Sequence, residues 1–239
     1  MVREGLPVRL REVQDQMAAA CARIGRDPAE IRIVAITKGH PAHVVAAATE
    51  AGLNEVGENR VDEALQKFSQ VAESLESHGV TRHMVGHLQR NKVRLAVTVF
   101  DWVQSVDSVR LARALSERVA ERRESLPVLV EVNVGEEQQK HGFGPDEAVD
   151  RAAEIAELPG LSVRGLMTMA PWTEDLTVLR TTFRRARSLF ERMTVSTGGM
   201  RGSIDTLSMG MSGDYPIAIE EGSTMLRLGT ALFGSRQEG

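Results

Sequence analysis

The chain has a single cysteine, Cys21, so no intrachain disulfide can form, a composition suited to a reducing compartment. Aromatic residues make up only 4%, and there is one tyrosine, Tyr215. Long apolar runs are missing as well. No window approaches the length of a membrane span, and the opening MVREGLPVRLREV has no apolar core of signal-peptide length. A cytoplasmic protein without membrane contact is therefore expected. Positive charge is not in excess: 29 Lys and Arg stand against 33 Asp and Glu, a formal net charge of -4, so no broad basic field invites nucleic acid. Arg184, Arg185, Arg187 and Arg192 cluster, but their helical spacing reads as a solvated helix face. No G-x-G-x-x-G follows the first strand, and there is no Walker lysine. Among the six histidines, His40 and His43 are close and His83 and His87 are four apart. That second spacing crosses a strand end into a loop, so no metal site is expected.

What is present is a rhythm. Residues 31–41 read IRIVAITKGHP, a β-branched run with little alternation, which predicts a strand covered on both faces with Lys38 at its carboxyl end. A helix over 6–24, with Pro7 suited to its first turn, precedes it. Further strands are expected at 54–57, 82–86, 100–106, 127–133, 163–169, 203–209 and 224–228. Helices are expected between them, among them 61–75, the segment capped by Asp107, 146–157, 175–193 and 215–221. Strand and helix alternate about eight times with short connections. That is the pattern of an α/β (β/α)8 barrel at its usual length of roughly 250 residues, here one domain over 1–239. The exception is the polar 134–145 connection, VGEEQQKHGFGP, a candidate cover over a site.

Functional residues of such a barrel gather at the carboxyl ends of its strands, and phosphates bind after strands seven and eight. After strand seven stand Ser208, Met209, Gly210, Met211, Ser212, Gly213 and Asp214; after strand eight stand Gly229 and Thr230. Small residues let backbone N–H groups approach an anion, and hydroxyls add donors. Arg227 inside strand eight needs an acceptor, which places it toward the barrel mouth. Lys38, in apolar surroundings, would offer a neutral amine to an aldehyde. A phosphorylated aldehyde satisfies all three features, and two qualify: pyridoxal 5′-phosphate or a sugar phosphate handled as an aldolase would handle it.

The segments AITKGHP, VGENRVDEA, HMVGHLQRNK, QSVDS, VEVNVGEEQQKHGF, VRGLMTM, LSMGMSGDY and AIEEGSTMLRLGTALFG resemble the motifs of the YggS/PROSC family, the pyridoxal phosphate homeostasis proteins. The likeness runs in one register from about residue 31 to 234. It implies a TIM barrel similar to the alanine racemase N-terminal domain, with pyridoxal 5′-phosphate carried as a Schiff base on Lys38. It further implies a phosphate held by Ser208, Gly229 and Thr230, a pyridine nitrogen facing Arg227, and Asn59 lining the cofactor. His87 departs from the pattern, since relatives often have proline there. An arginine at the pyridine nitrogen makes a weak electron sink. Racemisation would need a second acid/base, which alanine racemase takes from a separate β domain, whereas this chain ends about five residues after its last motif. The resemblance thus implies a monomeric binder and buffer of the cofactor that hands it to apo-enzymes. A racemase-like enzyme is the alternative.

Overall fold

The structure, a computed structural model, describes residues 2–121, 125–137, 139–196 and 204–235. Eight parallel strands close into a barrel in chain order: β1 (Arg32–Ile36), β2 (Glu55–Glu58), β3 (Thr81–Met84), β4 (Trp102–Val106), β5 (Leu126–Glu131), β6 (Leu161–Met167), β7 (Thr206–Ser208) and β8 (Met225–Leu228). The ring shuts where β8 pairs with β1, Ala35 opposite Leu228. Around it run α1 (Val2–Ile24), α2 (Ala42–Glu50), α3 (Val61–Gln70), α4 (Ala72–Ser77), α5 (Val93–Val99), α6 (Val109–Val119), α7 (Ala148–Ala156), α8 (Leu176–Ser196), α9 (Tyr215–Glu220) and α10 (Thr230–Phe233).

Burial explains the weak alternation of the strands. β4 is buried at every position, and Val128, Leu129 and Val130 of β5 are fully inaccessible, because helices cover the outside while side chains fill the inside. Helix α1 seals the wall beside β1 and β8. Leu6, Leu10, Val13, Met17, Ala20 and Cys21 repeat at helical spacing and are buried against residues of α2, α9 and α10. Val8 and Ile24, also apolar, are exposed. The helix also starts at Val2, so Pro7 lies inside it.

Other expectations shift at element ends. The helix expected over 61–75 breaks at Val71 (φ -128°, ψ 23°), a β-branched residue with low helix propensity. Strand five stops at Glu131, because Asn133 closes the next turn: its Nδ2 donates to Glu137 O (2.8 Å) and its Oδ1 accepts from Glu137 N (3.2 Å). Ser108, not Asp107, caps α6, its Oγ accepting from Leu111 N at 3.3 Å. Strand seven begins at Thr206, and the expected start at Ser203 lies outside the described residues.

Gly210 shows how tightly the mouth is packed. Its φ is +96°, and a Cβ there would stand 2.6 Å from Ala218 Cβ and 3.1 Å from Leu226 Cδ2. Gly210→Ala should therefore lower unfolding stability by on the order of 2–4 kcal/mol, from backbone strain and overpacking together. Denaturant titration checks this, and a loss under ~0.5 kcal/mol would show the position to be permissive.

Candidate functional site

Lys38 follows β1 by two residues, and both of its neighbours are pinned. Thr37 N donates to Gly57 O (3.1 Å), and Thr37 Oγ1 donates to Glu58 Oε1 (2.6 Å). Gly39 N, in left-handed backbone at φ +72°, donates to Glu63 Oε1 (2.6 Å). Binding these anchors together is Lys67, whose Nζ donates to Thr37 O (2.7 Å), Glu58 Oε1 (2.5 Å) and Glu63 Oε1 (3.0 Å). Burial pushes the Glu58 carboxyl up, against the pull of Lys67 and Thr37. Burial pushes Glu63 the same way, but the hydrogen bonds from Gly39 and Lys67 prevail and hold it low. Lys67 is the more deeply buried of the two lysines, yet its three N–H bonds are all engaged. No lone pair is left on Lys67 for an aldehyde.

A file of buried polar groups crosses the barrel interior. At its amino-terminal end Arg32 grips Glu55 through two hydrogen bonds, 2.6 and 2.9 Å. His83 Nε2 lies 3.0 Å from Glu55 Oε2, an ion-pair distance with poor hydrogen-bond alignment. His83 Nδ1 accepts from Gln104 Nε2 (3.0 Å), Gln104 Oε1 accepts from Ser208 Oγ (2.7 Å), and Ser208 Oγ accepts from Arg227 Nη1 (2.6 Å). Arg227 Nη2 ends the file at Thr168 O (2.8 Å). Desolvation pushes His83 down, so the ring is neutral, in agreement with an Nδ1 that accepts. Burial also pulls Arg227 down, to about 10, leaving it cationic near pH 7. Its orientation is thus set by contacts reaching back through the barrel.

The cradle lies on the strand next to Lys38. Gly229 N (3.3 Å) and Ala231 N (3.0 Å) both donate to Ser212 Oγ. Two backbone amides converging on one oxygen suit an anion. A Cβ on Gly229 would stand 3.4 Å from Ile36 O, in contact with the end of β1. Asp214 secures the loop from below, its Oδ1 accepting from Met211 N at 2.6 Å. Burial raises the Asp214 carboxyl despite that bond and the nearby Arg227.

Of the residues singled out from sequence, Lys38, Asn59, Gly229 and Thr230 stand just beyond β1, β2 and β8, three neighbouring strands of one rim. Asn59 backs onto Gly86, where a Cβ would lie 2.5 Å from Asn59 O. Ser208 and Arg227 are inside the barrel and bonded to each other. The hydroxyl at the cradle amides is that of Ser212, seen in the sequence only as a member of its loop. The sequence assigns no role to Lys67, Glu58 or Gln104, and the inward-facing His83 enters it only as a rejected metal ligand. The 134–145 connection is tied at its base: Asn133 N donates to Phe143 O (3.0 Å), Phe143 N donates to Glu131 O (2.8 Å), and Lys140 Nζ reaches Ala170 O (3.0 Å). Gln138 lies outside the described residues. Two surface hollows, about 370 and 280 Å³, are lined by residues such as Arg82 and Glu55 that begin strands, so they belong to the end opposite this rim.

Glu131 ends β5 within reach of Arg227, 4% exposed, with Oε2 unpaired. Burial, reinforced by Asp107 and opposed by Arg227, raises its carboxyl from 4.5 to about 7. The folded state therefore keeps a proton that the unfolded chain has released, and stability attributable to Glu131 falls as pH rises from about 4.5 through 7. The whole displacement is worth on the order of 3 kcal/mol. Glu131→Gln should gain on the wild type between pH 5 and pH 8 in thermal unfolding. A gap that stays constant with pH would contradict the assignment.

The closed barrel, with a lysine after its first strand and an anion cradle after its last, defines a class, and residues 8–237 match the family described as alanine racemase, N-terminal domain. The chain is 39% identical over 231 residues, 95% of each chain, to the pyridoxal phosphate homeostasis protein of Escherichia coli K12. It is 33% identical to PipY of Synechococcus elongatus. The PipY structure without PLP superposes with a TM-score of 0.84 over 96% of this chain and 100% of that one; the structure with PLP bound gives 0.78 over 91% and 100%. The chain belongs to the pyridoxal phosphate homeostasis protein family. An alanine racemase of Clostridium difficile, 17% identical with a TM-score of 0.74 over 97% of this chain and 57% of that one, shares the fold.

Proposed function

We propose that this protein binds pyridoxal 5′-phosphate at the carboxyl-terminal rim of the barrel, joined through a Schiff base to Lys38, and serves intracellular homeostasis of the cofactor. The single observation carrying this reading is that β1 and β8 are hydrogen-bonded neighbours, Ala35 opposite Leu228, so the residue after one strand and the amide pair after the other share one side of the rim. The residues present fit the group. Gly229 N and Ala231 N, with Ser212 and Thr230, would hold the phosphate; Asn59 would line the ring; and Arg227, steadied by Ser208, would lie toward the pyridine nitrogen. When bound, the cofactor supplies an aldehyde carbon and a conjugated ring that withdraws electrons. Lys38 Nζ adds to that carbon and water leaves. Cationic Arg227 disfavours a proton on the ring nitrogen, which limits electron withdrawal and suits holding over turnover.

In this reading a monomer stores the cofactor in the cytoplasm and transfers it to apo-enzymes, one form that the homeostasis named for the relatives would take. The racemase-like alternative rests on Glu131, whose pKa of about 7 would suit proton exchange. It lacks a phenolic partner in this chain: Tyr215 is buried against α1, its Oη donating to Gln16 Oε1 at 2.8 Å. Incubating the pyridoxal 5′-phosphate-loaded protein with single enantiomers of several amino acids separates the two. The carrier reading expects visible absorption by the loaded protein and no sustained conversion. Robust conversion lost in Lys38→Ala would establish the racemase instead.

A further inference from the structure

Three loops on the same rim bring together side chains that the cofactor reading does not use. His87 follows β3, Asp107 follows β4 and His141 follows β5. His87 Nδ1 is 2.9 Å and His141 Nδ1 is 3.9 Å from the same carboxylate oxygen, Asp107 Oδ2. The two imidazoles stack, with centroids 3.9 Å apart and planes within 12°. One ligand atom from each residue lies within 4.8 Å of both others. A tetrahedral ion with bonds of about 2.0–2.2 Å holds its ligand atoms about 3.4 Å apart. The two separations from Asp107 bracket that value, and the third is at most 4.8 Å, so closing on an ion also requires the stacked imidazoles to turn toward each other.

Each ligand also rests on an ordered support. Asp107 is the covered member, its side chain 11% accessible, and its Oδ1 accepts from Ser108 Oγ (3.1 Å), the same hydroxyl that caps α6. Such outer hydrogen bonds fix a ligand's direction. His87 follows Gly86, whose carbonyl accepts from Ser105 Oγ at 2.6 Å. His141 precedes Gly142, in left-handed backbone at φ +112°, where a Cβ would meet Asn133 N at 2.8 Å; the backbone pairing of Phe143 follows at once. The imidazoles are open to solvent, 43% and 57% accessible, so an ion can arrive and water can complete its shell. The sequence reading weighed only histidines close in the chain, and His87 and His141 are joined by a carboxylate from a third loop.

We propose that His87, Asp107 and His141 bind one divalent transition ion of the zinc class, with two imidazole nitrogens, one carboxylate oxygen and a water as ligands. Two nitrogens in three protein ligands select Zn²⁺ and its first-row neighbours over Mg²⁺ and Ca²⁺, which take oxygen. The ion would clasp the loops after β3, β4 and β5. This does not depend on pyridoxal 5′-phosphate.

The test uses the full, tag-free chain treated with chelator and then titrated with Zn²⁺ by calorimetry, with Co²⁺ as a visible probe. One ion per chain is expected. His87→Ala and His141→Ala, both at exposed positions, should each weaken binding by roughly 100-fold or more and abolish the Co²⁺ bands. Lys38→Ala should leave Zn²⁺ binding unchanged, which separates this site from ions chelated by a bound cofactor. No uptake by the wild-type chain at about 100 µM Zn²⁺, or uptake unchanged in either histidine variant, overturns the proposal.

Discussion

Replacing Lys38 by alanine is expected to leave a folded but colourless protein that loses pyridoxal 5′-phosphate on dialysis. The covalent link is gone while the amide pair at Ser212 remains, so affinity should fall by about two orders of magnitude, roughly 3 kcal/mol. Folding should be spared, because the backbone on either side is secured through Thr37 and Gly39. Spectrophotometric titration of both proteins reads the difference directly. Equal affinity with retained visible absorption would mean that another group forms the link.

Lys67→Met should be the most destabilising single change near the site. Glu58 is fully inaccessible, and its Oε1 would keep only Thr37 Oγ1 as a partner. Stranding a buried carboxylate in this way costs about 3–5 kcal/mol. The sign with pH follows from Glu58. Its carboxyl is already raised by burial with Lys67 present, and losing the cation raises it further. The variant should therefore suffer most above the ordinary carboxylate range and recover part of its stability as acid restores the proton. Adding Glu58→Gln should recover most of the loss at neutral pH. Denaturant curves at pH 5 and pH 8 check both points, and a deficit below ~1 kcal/mol at pH 8 would show that the buried pair is not what secures the turn.

These residues also show what could be read from the chain and what could not. The barrel was legible because most strands, β1, β4, β5, β6 and β8 above all, carry short apolar runs between helices of ordinary period, and Lys38 was legible as a single charge closing a β-branched run. Lys67 was not. In VDEALQKF it reads as a solvated i,i+4 partner of Glu63, and only the register of β2 against β1, Ile36 opposite Gly57, brings Glu58 and Thr37 to it. Ser208 and Ser212 stand four apart, and sequence does not say which one the barrel turns inward; in the structure Ser208 meets Gln104 and Arg227 while Ser212 meets the amides of Gly229 and Ala231. Neighbouring Asp107 and Ser108 are both good cap residues. Side-chain geometry chose serine for the cap and turned the aspartate to His87.

Borohydride reduction of the protein loaded with pyridoxal 5′-phosphate, followed by peptide mass mapping, asks most directly whether the amine after β1 captures the cofactor. A phosphopyridoxyl mass on Lys38, absent from Lys67 and every other lysine, is the expected result. That mass on a different lysine, or on none, would contradict the account.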